Sequence, residues 1–60
     1  MLANHLVTYT DGSSKLFENS ELYKLSPDIW VVTQGSISTM IFTASVRSIE
    51  KVNVTHHTIE

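Results

Sequence analysis

The sequence predicts an all-β fold, a small five-stranded antiparallel sheet or barrel with one short helical or 3₁₀ turn. Three observations point that way. The stretch Asp28 to Ala44, DIWVVTQGSISTMIFTA, holds two β-branched and aromatic runs joined through Gly35, and it contains the only Trp. Asp11-Gly12 stands between two further runs of strand character. The one stretch with helical spacing, Asn19 to Leu25, is about two turns at most, and so short a helix is marginal on its own.

The first strand is expected over His5 to Thr10, with Leu6, Thr8 and Thr10 on one face and His5, Val7 and Tyr9 on the other. Asp11-Gly12 is a hairpin signal, because both residues tolerate positive φ. Ser13 to Glu18 then returns as a second strand. Asn19 or Ser20 could cap a helix, with Leu22 and Leu25 three apart, so Asn19 to Leu25 is read as a loop or single helical turn covering one end of a barrel. Ser26-Pro27-Asp28 ends it, since Pro disfavours helix at the residue before it and suits a turn.

Ile29 to Thr33 and Ile37 to Thr43 are the central strands, rich in side chains that lose rotamer freedom in a helix and fit a pleated surface. Gln34-Gly35-Ser36 links them, with Gly supplying positive φ at no steric cost. Alternation puts Ile29, Val31 and Thr33 on one face and Trp30 and Val32 on the other. In the second strand Ile37, Thr39, Ile41 and Thr43 oppose Ser38, Met40, Phe42 and Ala44. Large apolar groups therefore occupy both faces, which calls for a strongly bent sheet, a closed barrel, or a face covered by another chain. Val46 and Ile49, three apart, interrupt strand alternation and suggest a 3₁₀ turn near Ala44 to Arg47. A last strand follows over Ser48 to Val54, and Thr55 to Glu60 reads as a frayed polar tail.

The order of hairpin, covering loop, hairpin, one-turn break and final strand is similar in outline to SH3-like and Sm-like small barrels. The similarity rests on element order and the late 3₁₀ turn alone. No aromatic proline-binding cluster of the SH3 kind and no Sm signature motif is present.

Sixty residues make a single domain, 1–60. A chain of that length buries only about 60% of its unfolded surface. With no Cys there is no disulfide staple, no thiol nucleophile and no thiolate zinc site. Stability must then come from a compact apolar core, from association, or from both. Only 17% of residues are charged and the net charge is −2. Lys15, Lys24, Arg47 and Lys51 are scattered, so no basic stripe forms to displace counterions from a polyanion. No apolar run reaches transmembrane length, and the N-terminus lacks the layout of a signal peptide, which fits a cytoplasmic protein.

No motif carries catalysis. His5 with His56-His57 is the only metal-like set, but adjacent residues of a strand point to opposite faces and zinc wants three or four ligands, so a solvated tail is expected and no metal or cofactor. Asp11 with Glu18, or Glu21 with Asp28, could be imagined as paired acids, but all four lie in or beside expected turns, where Asp accepts backbone N–H groups. No Ser lies in a nucleophile elbow and neither Gly belongs to a phosphate loop. Asn53-Val54-Thr55 matches a glycosylation sequon without a secretion signal.

The reading that follows is a non-enzymatic protein-interaction module, acting as a homo-oligomer or as a small accessory regulator bound to another protein. Its expected contact residues are Tyr9, Trp30, Val32, Met40, Phe42 and Arg47, because surplus apolar surface on a small domain marks an interface. The alternative is a nucleic-acid-binding small barrel, with Tyr9, Tyr23 and Trp30 stacking on bases and Lys15, Lys24 and Arg47 meeting phosphates; the acidic balance weakens it. An enzyme ranks lowest, since so short a chain has little room for a concave pocket.

Overall fold

A computed structural model describes residues 2–52 of the chain. It shows five strands and one 3₁₀ turn: β1 (Ala3–Tyr9), β2 (Ser14–Ser26), β3 (Ile29–Gln34), β4 (Ile37–Phe42), the turn (Thr43–Ser45) and β5 (Val46–Val52). They form one antiparallel sheet in the order β4-β3-β2-β1-β5. β1 to β4 meander, and the 3₁₀ turn returns β5 to the far side of β1. The sheet is open: among the described residues, β4 and β5 are its two edges.

β2 is the longest strand, at 13 residues. Its first part pairs with β1 and its second part with β3. The stretch Asn19 to Leu25 is therefore strand, not the expected loop or helical turn. Two local facts decided against helix. Glu21-Leu22-Tyr23-Lys24 alternates with period two, and Leu22 packs against the core while Leu25 is exposed. Spacing of three carried no helical meaning here, because a register irregularity between Lys24 and Ser26 sets Leu25 aside from the ladder.

Asn19 is the only non-Gly described residue with positive φ, at 49°. It marks a β-bulge: from Ala3 to His5 the first strand advances two residues while its partner runs from Ser20 to Phe17, three residues. Asn tolerates this conformation better than most side chains. One inserted residue bends the strand and resets its phase, so Phe17, Ser20 and Leu22 all reach the inner face. A second irregularity, between Thr8 and Tyr9 on one side and Ser48 and Val46 on the other, leaves Arg47 unmatched. It explains how Val46 and Ile49 both pack against the core. The 3₁₀ turn itself covers Thr43–Ser45 rather than Ala44 to Arg47, and β5 starts at Val46 rather than Ser48.

Three short links complete the meander. Gly12 N–H donates to Tyr9 O at 3.0 Å, Tyr9 N–H donates to Ser13 O at 2.8 Å, and Gly12 has φ 95°. That is a turn followed by a positive-φ Gly, a longer loop than the two-residue one Asp11-Gly12 suggested. Pro27-Asp28 turns β2 into β3. Gly35, at φ 61°, and Ser36 join β3 to β4 as a two-residue hairpin of the Gly-first kind.

The core lies on one face of the sheet, the inner face. Val7, Phe17, Val32 and Ile41 are its enclosed members, with Tyr9, Leu22, Trp30, Val46 and Ile49 packed around them. Val31 is also buried, at 4% exposure, but stands outside that cluster. It faces the other way, between its ladder neighbours Tyr23 and Met40. The two-sided apolarity of the central strands thus belongs to an open sheet with a core on one face and a second apolar row on the other. Residues 53–60, including the expected polar tail and the sequon, lie outside the described residues.

Candidate functional site

Two places in the structure concentrate unusual chemistry: a buried polar knot at the bulge, and the outer face of the β2–β3–β4 half.

The knot is built from residues far apart in sequence. His5 Nδ1 lies 2.8 Å from Ser20 Oγ, and both side chains are buried. Ser20 Oγ is also 2.9 Å from Phe17 O and 3.1 Å from Ala3 O. Carbonyl oxygens only accept, so the arrangement that leaves the fewest groups unpaired has the hydroxyl proton on one of them and Nδ1–H donating to Ser20. Around it, Asn19 N–H donates to Asn4 Oδ1 at 3.0 Å, and Gln34 Nε2 donates to Glu18 O at 3.1 Å. The bulge breaks the regular ladder, and these side chains satisfy the backbone groups that the break frees.

A Ser–His contact invites comparison with an activated nucleophile. Here the serine has 0% exposure and its proton is committed to a backbone carbonyl. No substrate atom can reach Oγ in this arrangement, and the pair acts as a brace. Burial lowers the His5 pKa below its ordinary value, and the Lys51 charge on the paired residue of β5 lowers it further. For a base whose folded pKa is depressed, the unfolded chain binds more protons, so folding stability is complete above the unfolded value near 6.5 and declines as pH falls from there toward the folded pKa. The melting temperature is expected to fall between pH 7.5 and pH 5, and His5→Gln should flatten that decline. An equal decline in both proteins would show that His5 is not its source.

Asp11 has a plainer role. Its Oδ1 accepts from Ser13 N–H at 2.9 Å and from Ser13 Oγ–H at 2.7 Å, and these bonds hold its carboxyl below the usual range. It is a turn residue. Glu18 lies on β2, and Asp28 sits in the β2–β3 turn with its N–H 3.3 Å from Ser26 Oγ. Among the described residues, no three His, Cys, Asp or Glu side chains come together as a metal site. His56 and His57 lie outside those residues.

The expected contact residues divide between the faces. Met40 and Phe42 are exposed on the outer face, at 54% and 56%. Direct pairing aligns Tyr23, Val31 and Met40 in one row and Ile29 with Phe42 in the next. Tyr23 itself is 49% exposed. Val32 is enclosed in the core and presents nothing to a partner. Tyr9 and Trp30 line the inner face, half-buried against the same core. Arg47 is exposed at the bulge of β5, on the opposite edge from β4. Tyr23 belongs with this set, although sequence reasoning grouped it with the bases-and-phosphates residues; its place in the alternation Glu21 to Lys24 was the available signal.

The residues expected to stack on bases and meet phosphates do not share one face. Tyr23 and Trp30 take opposite faces, because Tyr23 pairs with Val31 and Lys24 with Trp30. Lys24 Nζ sits 5.3 Å from the Trp30 ring centroid and Lys15 Nζ 5.0 Å from that of Phe17. Both cations lie within range of a ring quadrupole. No helix among the described residues is long and apolar enough to cross a membrane. Set against known protein families, curated proteins and solved structures, the chain matches none.

Proposed function

We propose that this protein is a non-enzymatic interaction module that works by associating through the outer face of its β2–β3–β4 half, first of all with further copies of itself. The observation that carries this reading is the apolar patch on that face: Tyr23, Met40 and Phe42 are about half exposed, and Val31, between Tyr23 and Met40, is buried. Half-exposed aromatic rings leave on the order of 100 Å² open each, so with Met40 the patch approaches 300 Å². Patches of that order on small soluble proteins are often functional. The strand order, with β5 beside β1 after a single 3₁₀ turn, supports reading the domain as an SH3-like or Sm-like barrel left open between β4 and β5. A small core without disulfides also gains from any partner that binds only the folded state.

Sedimentation velocity over a range from micromolar to near-millimolar protein tests the reading. The wild type is expected to associate as concentration rises. The double variant Tyr23→Ser, Phe42→Ser, with an unchanged circular dichroism spectrum, should associate at least about tenfold more weakly, since each ring contributes of order 1 kcal/mol or more when desolvated. Equal association of the two proteins would remove the outer face from the mechanism.

A further inference from the structure

The two edges of the sheet are not alike. β5 carries Arg47, Glu50 and Lys51 within seven residues. Charged edge residues are the usual protection against unwanted strand pairing. β4, Ile37-Ser38-Thr39-Met40-Ile41-Phe42, has no charge and no Pro. Among the described residues nothing pairs with its outer side. An edge of this kind either recruits another strand or aggregates.

The hydrogen-bond phase of β4 follows from two observations. Gln34 and Ile37 close a two-residue hairpin, and Thr43 N–H donates to Asp28 O at 2.8 Å. Antiparallel ladders alternate hydrogen-bonded and non-bonded pairs. Ile37, Thr39 and Ile41 therefore direct their backbone groups at β3, and Ser38, Met40 and Phe42 direct theirs outward. The side chains of those same three residues lie on the outer face.

We infer that β4 pairs antiparallel with β4 of a second copy across a twofold axis at Met40. This deepens the interaction-module reading and rests on it. In an antiparallel pair, residues directly opposite share a face, so a twofold perpendicular to the sheet must pass midway between a residue and its own copy directly opposite. Centring on Met40 sets Ser38 opposite Phe42 of the second copy and Phe42 opposite its Ser38. Every outward backbone group of β4 then has a partner, and the outer rows of the two copies join as Tyr23–Val31–Met40–Met40–Val31–Tyr23. A register centred on Thr39 would set Met40 opposite Ser38 and leave Phe42 beyond the end of the paired strand. The absence of charge on β4 lets it meet its own image without like-charge repulsion, which pairing through β5 would bring. The apolar area each copy offers falls short of the roughly 800 Å² per partner of a standard stable interface. The expected dimer is accordingly weak, forming in the micromolar range or above.

Cysteine cross-linking tests the register. In a hydrogen-bonded antiparallel pair the Cα atoms are about 5.5 Å apart, inside the range a disulfide spans. Ser38 and its own copy would stand four residues out of step, about 13 Å along the strand. Under mild oxidation, Met40→Cys is expected to form a covalent dimer at least about tenfold faster than Ser38→Cys, which has comparable exposure and sits on the same face. Met40→Lys should move the wild-type dimer toward monomer in sedimentation. If the wild type associates but the two cysteine variants cross-link alike, β4 pairing is overturned and the outer-face reading still stands. If Ser38→Cys is the faster, the register is wrong and the proposal falls. If the wild type sediments as a monomer throughout and neither variant cross-links, the self-association reading fails with it. Larger rings or fibres in the wild type would point to β4 meeting β5 and likewise overturn the twofold dimer.

Discussion

Phe17→Ala is expected to leave little folded protein at 25 °C. Phe17 is 1% exposed and, among the described residues, the largest enclosed side chain of a core cluster with three other enclosed members. Removing a buried Phe ring costs about 3–5 kcal/mol, the lost transfer energy plus the cavity left behind. Small domains have total stabilities toward the low end of about 5–15 kcal/mol. Neighbouring Val7, Val32 and Ile41 sit on three different strands, so the cavity cannot close without shifting the sheet. Urea unfolding followed by Trp30 fluorescence would measure the loss. A midpoint within experimental error of the wild type would mean that the ring is not the centre of the core. Lys15, poised over that ring, would lose its cation–π partner as well, a smaller effect.

Ser20→Ala should give the next largest loss, about 1–3 kcal/mol from stranding a buried donor. The substitution removes one oxygen, yet His5 Nδ1 loses its acceptor, and Ala3 O and Phe17 O lose the donor they share. Volume hardly changes, so packing cannot account for the effect. Chemical denaturation of Ser20→Ala, His5→Phe and the double variant would form a double-mutant cycle. Coupling near zero would show that the two side chains are neighbours without being partners.

The comparison of these two sites shows what could be read from residue order. Phe17 belongs to a run legible as a strand, but adjacent Leu16 is as apolar, so alternation alone does not say which of the two is enclosed. The central hairpin was legible as strands too, down to Gly35 at the turn. Which of its faces was inner was not, because Trp30, Val32 and Ile41 on one side and Val31, Met40 and Phe42 on the other are equally apolar. The register of the whole sheet decides between them, and the bulge at Asn19 resets part of it. That residue looked like a helix cap, since the same short amide side chain serves caps and left-handed backbone positions alike. Ser20 and His5 are fifteen residues apart and neither is unusual for a strand. Their contact exists only once the bulge has turned Ser20 inward, so no local pattern announces it. Tyr9, Trp30 and Val32 were grouped with Met40 and Phe42 on hydrophobicity, and their separation onto the inner face required the register of the whole sheet.

β2 takes part in both ladders, to β1 and to β3. The two ladders use separate stretches of that strand, Ser14 to Ser20 and Glu21 to Ser26, so backbone bonding alone does not couple them. The shared core does: Val7 and Phe17 from one portion pack with Val32 and Ile41 from the other. Such sharing makes for a sharp, all-or-none transition even in so small a chain. Partial opening is then easiest at the two outermost strands, β4 and β5, each bonded on one side alone among the described residues.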